Sequence, residues 1–145
     1  MNLDLGCGIN KHEGFVGMDA RACDGVDIVH NIQKFPWPID DNACECIMMR
    51  NIYEHIEPKY RLQMMDEAWR VMKPGGSLVI SSPYAGSIRA FQDPTHYTCP
   101  NEVTFHYFDP RCPYYYLVYS PKPWKLIKNI WEVTGNVDAI LEAIK

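Results

Sequence analysis

The chain predicts an α/β fold on an open, mainly parallel sheet, and three observations carry the prediction. The first is Met1-Asn-Leu-Asp-Leu-Gly-Cys-Gly8, a short apolar run that ends in Gly6-x-Gly8. It reads as a buried strand closing in a turn tight enough for the backbone to approach a ligand. The second is a succession of short apolar runs at 15–19, 26–29, 44–49 and 77–82, separated by turn-forming residues. The third is one long helical pattern, residues 58–73, just before the last of these runs. Open α/β sheets bind ligands beyond the carboxyl ends of their strands, so Gly6–Gly8 marks the expected crevice.

Length and composition bound the rest. With 145 residues the chain is expected to fold as a single domain, 1–145, long enough for a real core. A hydrophobic content of 47% against 22% charged excludes a disordered chain. The net charge of −4, without any basic block, argues against nucleic acid as a partner. No apolar run approaches a membrane span and the N-terminus opens a strand, so a cytoplasmic protein with no membrane partner is expected. The six cysteines are scattered; Cys44 and Cys46 suit alternate strand positions better than a metal knuckle. Reduced thiols are expected in place of a disulfide framework.

In chain order, Phe15–Asp19 is a second strand and Val26–Val29 a third. The links between the strands, 6–14 and 20–25, are shorter than the dozen or so residues of a helical crossover, so helices should be missing there. His30–Asp40 holds Pro36-Trp37-Pro38 and reads as a rigid, packed loop. Cys44–Met49 is a central strand. Pro58 opens a helix whose Leu62, Met65, Trp69 and Met72 face the core, and Lys73-Pro74 stops it. Gly75-Gly76 turns the chain into a fifth strand, Ser77–Ser82. Beyond it, Phe91–His96 and Asn101–Phe108 read as a loop and a short helix, and Pro113–Pro123 as an aromatic, proline-rich segment. Leu126–Val133 reads as a strand followed by a hairpin turn at Gly135-Asn136. In the tail, Val137, Ile140, Leu141 and Ile144 repeat at helical spacing.

The ligand is the next question. A dinucleotide fingerprint requires a third glycine where this chain has Lys11, which weakens that reading. Residues 1–8 instead resemble motif I of the class I S-adenosylmethionine-dependent methyltransferases, hydrophobic-Asp-hydrophobic-Gly-x-Gly. A second segment is similar too: an acidic turn at Asp40-Asp41-Asn42, a strand, then Glu54-His55-Ile56, with Glu45 where members usually carry Asp. The third is Arg70–Ile80, where helix end, Lys-Pro-Gly-Gly and strand coincide. The segments follow the family's order over residues 1 to about 84 and look like a small, type 11-like member in reduced form.

The resemblance implies a Rossmann-like class I methyltransferase sheet, mainly parallel with a C-terminal antiparallel hairpin and several helices missing. It makes the tail a final strand, against its helical period. It implies S-adenosylmethionine as cofactor, with the loop of Gly6, Cys7 and Gly8 along its methionyl part and ribose. Asp19 would take the ribose hydroxyls, since a carboxylate accepts two hydrogen bonds from a diol. Asp4 would lie near the ammonium, directly or through water. Asn31 and the backbone of Ile32 stand where an adenine-binding acid is common, and Arg50 borders the sulfonium or is a structural ion-pair residue.

Methyl transfer from a sulfonium is an in-line displacement that proximity alone can promote, and a base is needed only for a poorly acidic nucleophile. The catalytic candidates are therefore His55, Asp93 and His96, with His106 behind them. His55 faces either the methyl group or the packing of a helix N-terminus. Asp93-Pro-Thr-His96 is either a base held by a carboxylate or an Asp-Pro turn. The spacings of these residues match no metal motif, so no metal is expected. The expected acceptor is a small molecule. The alternative is a non-catalytic S-adenosylmethionine-binding or partner-binding module, and residues 85–124 decide between them. Leu3, Leu5, Phe15, Val26, Ile28 and Val29 are residues that parallel sheets bury on both faces. With helices missing, a homodimer through the uncovered face of strands one to three is expected, or else a cover formed by Pro113–Pro123.

Overall fold

The computed structural model describes residues 1–145. Its seven-stranded sheet has the order β3-β2-β1-β4-β5-β7-β6, formed by β1 (Asn2–Leu5), β2 (Val16–Asp19), β3 (Ile28–Val29), β4 (Cys44–Arg50), β5 (Met72–Pro83), β6 (Trp124–Trp131) and β7 (Asn136–Ala143). The first five strands are parallel, and β7 runs antiparallel between β5 and β6. The direction reverses at β1, where β2 lies on one side and β4 on the other. That switch point opens a crevice at the carboxyl ends of the strands.

Register decides which residues form the core. Leu3 pairs with Val16 and Ile47, Leu5 with Met18 and Met49, and Ile47 and Met49 with Leu78 and Ile80. Paired residues share a face, and this face joins α1 (Pro58–Val71) in one cluster through the fully buried Met64, Met65, Ala68 and Val71. Trp37 belongs to the same cluster, and its indole N–H donates to the Ile32 carbonyl at 2.9 Å. The link 30–40 is thus the packed, helix-free loop that its prolines imply.

No helix lies between β1 and β2 or between β2 and β3. The short links seat directly on the sheet instead, and Gly17 makes the room. A Cβ there would meet Cys7 Sγ at 2.6 Å, the Gly25 carbonyl oxygen at 2.8 Å and Lys11 Cδ at 2.8 Å. The expectation that Leu3 and Leu5 would leave an apolar face bare is corrected, because both are fully buried on the α1 side. The helix-free face carries Asn2, Asp4, Gly17 and Asp19 on β1 and β2. Its apolar residues are the exposed Val29 on the β3 edge, the half-buried Cys46, Met48, Val79 and Ile140 further along the sheet, and the exposed Ile130 on β6.

Other boundaries also differ. The helix ends at Val71, and Met72 already pairs with Cys44, so Gly75-Gly76 sits in an irregular stretch of β5 before Ser77 resumes pairing with Cys46. The third strand shrinks to two residues. The tail is strand β7: Val137, Ala139, Leu141 and Ala143 alternate into the core, because the slot between β5 and β6 imposes a period of two. Pro113–Pro123 does not cross the helix-free face. It opens with a short helix (Pro113–Tyr116) and is tied to α1 by the Lys122 N–H donating to Asp66.

Candidate active site

A cavity of about 1180 Å³ opens at the carboxyl ends of β1, β2 and β4. That exceeds the roughly 300–1,000 Å³ of cavities that enclose drug-sized ligands. Asp4, Gly6, Cys7, Gly8, Asp19, Asn31, Ile32 and Arg50 all line it, and so does His55.

The floor is the turn after β1. Gly6 and Gly8 have φ of +65° and +49°, in the left-handed region that glycine adopts without steric cost. A Cβ on Gly6 would also overlap Ile52 Cδ1 at 2.2 Å. The turn brings Gly8 N–H to Asp19 Oδ2 at 2.9 Å. Asp19 Oδ1 accepts from the Arg21 N–H at 2.9 Å and its Nε at 3.3 Å. Burial works to raise the Asp19 carboxyl, but these hydrogen bonds and the Arg21 charge outweigh it and hold it below the usual range. Asp4, only 2% exposed, accepts from the His12 N–H and Nδ1 at 2.8 and 3.0 Å.

The remaining walls mix apolar and polar groups. Ile32 is 8% exposed, with its carbonyl taken by Trp37. Asn31 Oδ1 accepts from the Gln33 N–H at 2.9 Å, which leaves the amide N–H₂ free to turn toward the cavity. Arg50 is exposed and donates to the Asn10 carbonyl at 3.1 Å; it forms no ion pair.

His55 and Ile56 make the third side, while Asp93 and His96, in the segment after β5, line a separate cavity of about 370 Å³ beside it. Tyr97 N–H donates to the Glu54 carbonyl at 2.9 Å, and Arg61 holds Thr98. This seats the His96 ring edge-on against His55, with centroids 4.8 Å apart. Asp93 makes a local turn, accepting the Thr95 N–H at 2.8 Å and its hydroxyl at 2.7 Å. These bonds hold its carboxyl below the usual range. Between Asp93 and His96 the contact is at ion-pair distance without a hydrogen bond: Oδ2 and Nε2 are 3.9 Å apart. Asp93 also reaches His55, through Thr95 Oγ1, which lies 3.1 Å from His55 Nδ1. His106 packs against Tyr115 and takes no part.

Residues 7–80 match the family described as a methyltransferase domain, of type 11. The chain belongs to this family. It is an S-adenosylmethionine-dependent methyltransferase, with S-adenosylmethionine as its cofactor. No curated protein sequence matches the chain. Solved structures share the fold. A methyltransferase from Archaeoglobus fulgidus is 20% identical, with a TM-score of 0.66 over 99% of this chain and 85% of that one. One from Methanosarcina mazei is 16% identical, with a TM-score of 0.62 over 99% and 92%. The 1,6-didemethyltoxoflavin-N1-methyltransferase of Burkholderia thailandensis, solved with its substrate and S-adenosylhomocysteine, is 10% identical, with a TM-score of 0.70 over 99% and 71%.

Sequence reasoning overlooked several residues of this methyltransferase's cavity. Arg21 had a usable signal, since an Asp at a strand end commonly binds the N–H two residues on. Ile52 under Gly6 had none, nor did His12, which holds Asp4 from outside the lining, because each meets its partner only after folding. Glu54, beside the cavity, stood in the Glu54-His55-Ile56 segment, which did not show its burial.

Proposed function

We propose that the cofactor lies in the cavity above β1, β2 and β4, and that its methyl group passes to a small-molecule acceptor brought in beside His55. The observation that carries this reading is the convergence, on one cavity, of a buried carboxylate, two glycines of positive φ and an imidazole. The residues fit the group. Asp19 retains lone-pair capacity for a ribose diol, Asp4 is a negative neighbour for an ammonium, and Ile32 and Ile52 offer apolar walls for a purine. When bound, S-adenosylmethionine supplies a methyl group already activated toward displacement.

The chain's own residues orient and take a proton. Gly6 and Gly8 let the backbone close on the ligand, and Asp19 fixes its ribose. Thr95 gives its hydroxyl proton to Asp93 and accepts from His55 Nδ1–H, which leaves the Nε2 lone pair of His55 for the acceptor's proton. His96 holds the His55 ring edge-on, so Nε2 would take the acceptor's proton as the acceptor's lone pair bonds the methyl carbon and the carbon–sulfur pair leaves on sulfur.

The small-molecule acceptor is supported by a sequence without a basic block and by the heterocycle held by the Burkholderia enzyme. Self-association through the helix-free face over β4, β5 and β7 belongs to the same proposal, moved there from β1–β3. So does a cytoplasmic setting, supported by six free thiols. No helix is long and apolar enough to cross a membrane. The test feeds labelled S-adenosylmethionine and enzyme to fractionated cell extract. Label in the small-molecule fraction, lost in His55→Ala while cofactor affinity stays, is expected. Label confined to protein or nucleic acid overturns the acceptor class.

A further inference from the structure

Beside the cavity, Glu54, His55 and His96 bring one carboxyl oxygen and two ring nitrogens within 4.8 Å of one another. The hydrogen bonds around them decide what those atoms offer. Glu54 is fully buried; its Oε2 accepts from Ser82 Oγ at 2.8 Å, while its Oε1 is buried without any partner. An orphaned buried oxygen of this kind calls for an explanation. Thr95 gives its own proton to Asp93, so it accepts from His55 Nδ1–H. The Ala90 carbonyl, 3.0 Å from His96 Nδ1, accepts only, so that nitrogen also carries its hydrogen. Both Nε2 atoms are therefore left as lone pairs. Asp93 Oδ2, 3.9 Å from His96 Nε2, adds negative charge nearby.

Lone pairs facing one another with no donor between them repel, and a cation removes the conflict. We propose that Glu54, His55 and His96 form a divalent transition-metal site of the zinc type. Two imidazoles and a carboxylate suit Zn²⁺ and its neighbours, and carbonyl or hydroxyl partners on the second ring nitrogens are the usual support for such ligands. Ligand atoms bound at about 2.0–2.2 Å to one tetrahedral ion lie about 3.4 Å apart, so atoms at the 4.8 Å limit need to close by about 1.4 Å. Sequence spacing hid the site, because Glu54 and His55 are neighbours in the chain and His96 reaches them from the segment after β5. With three protein ligands the ion keeps positions open on the side of His55 that lines the cavity. Once His55 Nε2 ligates the ion it no longer takes the acceptor's proton. On the methyl-transfer reading the ion replaces that role by holding and acidifying an acceptor heteroatom, whose proton then leaves to solvent. The ion's existence does not rest on that reading.

The test uses the full chain stripped with chelator and titrated with Zn²⁺ by calorimetry and with Co²⁺ by visible absorption, without S-adenosylmethionine. One ion per chain and Co²⁺ bands of a nitrogen–oxygen site without thiolate charge transfer are expected. His96→Ala and the conservative Glu54→Gln should weaken binding more than Thr95→Ala, which removes only an outer partner and should cost about tenfold. His106→Ala should bind as wild type. His55→Ala, at a half-buried position, serves if a variant at the buried Glu54 fails to fold. Binding no tighter than millimolar, a thiolate spectrum, or undiminished wild-type affinity in His55→Ala and His96→Ala overturns the site. Cofactor affinity, titrated separately, reports on the methyl-transfer reading alone.

Discussion

Asp19 concentrates the cofactor side of the cavity in one residue. It is 6% exposed, accepts from Gly8 and Arg21, and closes the strand beside the glycine turn. A charge-assisted hydrogen bond is worth about 1.5–3 kcal/mol. Asp19→Ala is therefore expected to weaken S-adenosylmethionine binding by about tenfold or more in calorimetry while the far-ultraviolet spectrum stays unchanged; undiminished affinity would remove Asp19 from the site. Asp109 plays the corresponding structural part at the β6 edge. It is 1% exposed, accepts from the Leu126 N–H at 2.8 Å and holds Arg111. Burial would raise its carboxyl, but the Arg111 and Leu126 hydrogen bonds depress it overall. A depressed carboxyl stabilises the fold above its unfolded value, near about 4, and that stability is lost as pH falls through the folded value. Asp109→Asn should cost about 1.5–3 kcal/mol at neutral pH and flatten the acid limb of a stability–pH curve. Parallel acid limbs in wild type and variant would show that another group controls it.

At the scale of elements, the short links replace helices because β2 offers a residue without a side chain. Gly17 lets Cys7, Lys11 and the Gly25 backbone pack directly on the strand, and its N–H donates to Asp27 Oδ2 at 2.7 Å. The same packing positions the Gly6–Gly8 turn, so the economy of the links and the shape of the cavity have one cause. Gly17→Ala should lower stability by about 1–3 kcal/mol, as overpacking does, and should weaken cofactor binding as Cys7 is displaced. Denaturant melts of the variant, with a cofactor titration alongside, check both effects. A variant that melts and binds as wild type would mean that the links float free of β2.

Across the whole molecule the two faces of the sheet differ. One is sealed by α1, Trp37 and the 3-10 turn at Thr104–Phe108; the other presents polar β1 and β2 beside a strip of Cys46, Met48, Val79 and Ile140. An apolar strip rimmed by polar residues suits a two-fold pairing of identical chains. Light scattering at micromolar concentration is expected to give a dimer, and Val79→Lys a monomer with an unchanged melting curve. A wild-type monomer would reject the pairing.

The sequence alone determined the parallel sheet, its glycine turn, the missing helices, α1 and the family, because these rest on local patterns: apolar runs, link lengths, helical spacing and contiguous motifs. Asp4, Asp19 and the glycines were legible for the same reason, since each sits at a fixed offset from a strand end. Only the tertiary structure decided the rest. It holds the tail as β7, the strand that the family resemblance implies, because a slot between two strands overrides a short helical period. It sent Leu3 and Leu5 to the sealed face, because strand pairing, not composition, assigns faces. It also joined Glu54 to His96 across 42 residues, a contact made when Tyr97 bonds the Glu54 backbone and brings two distant segments to one point.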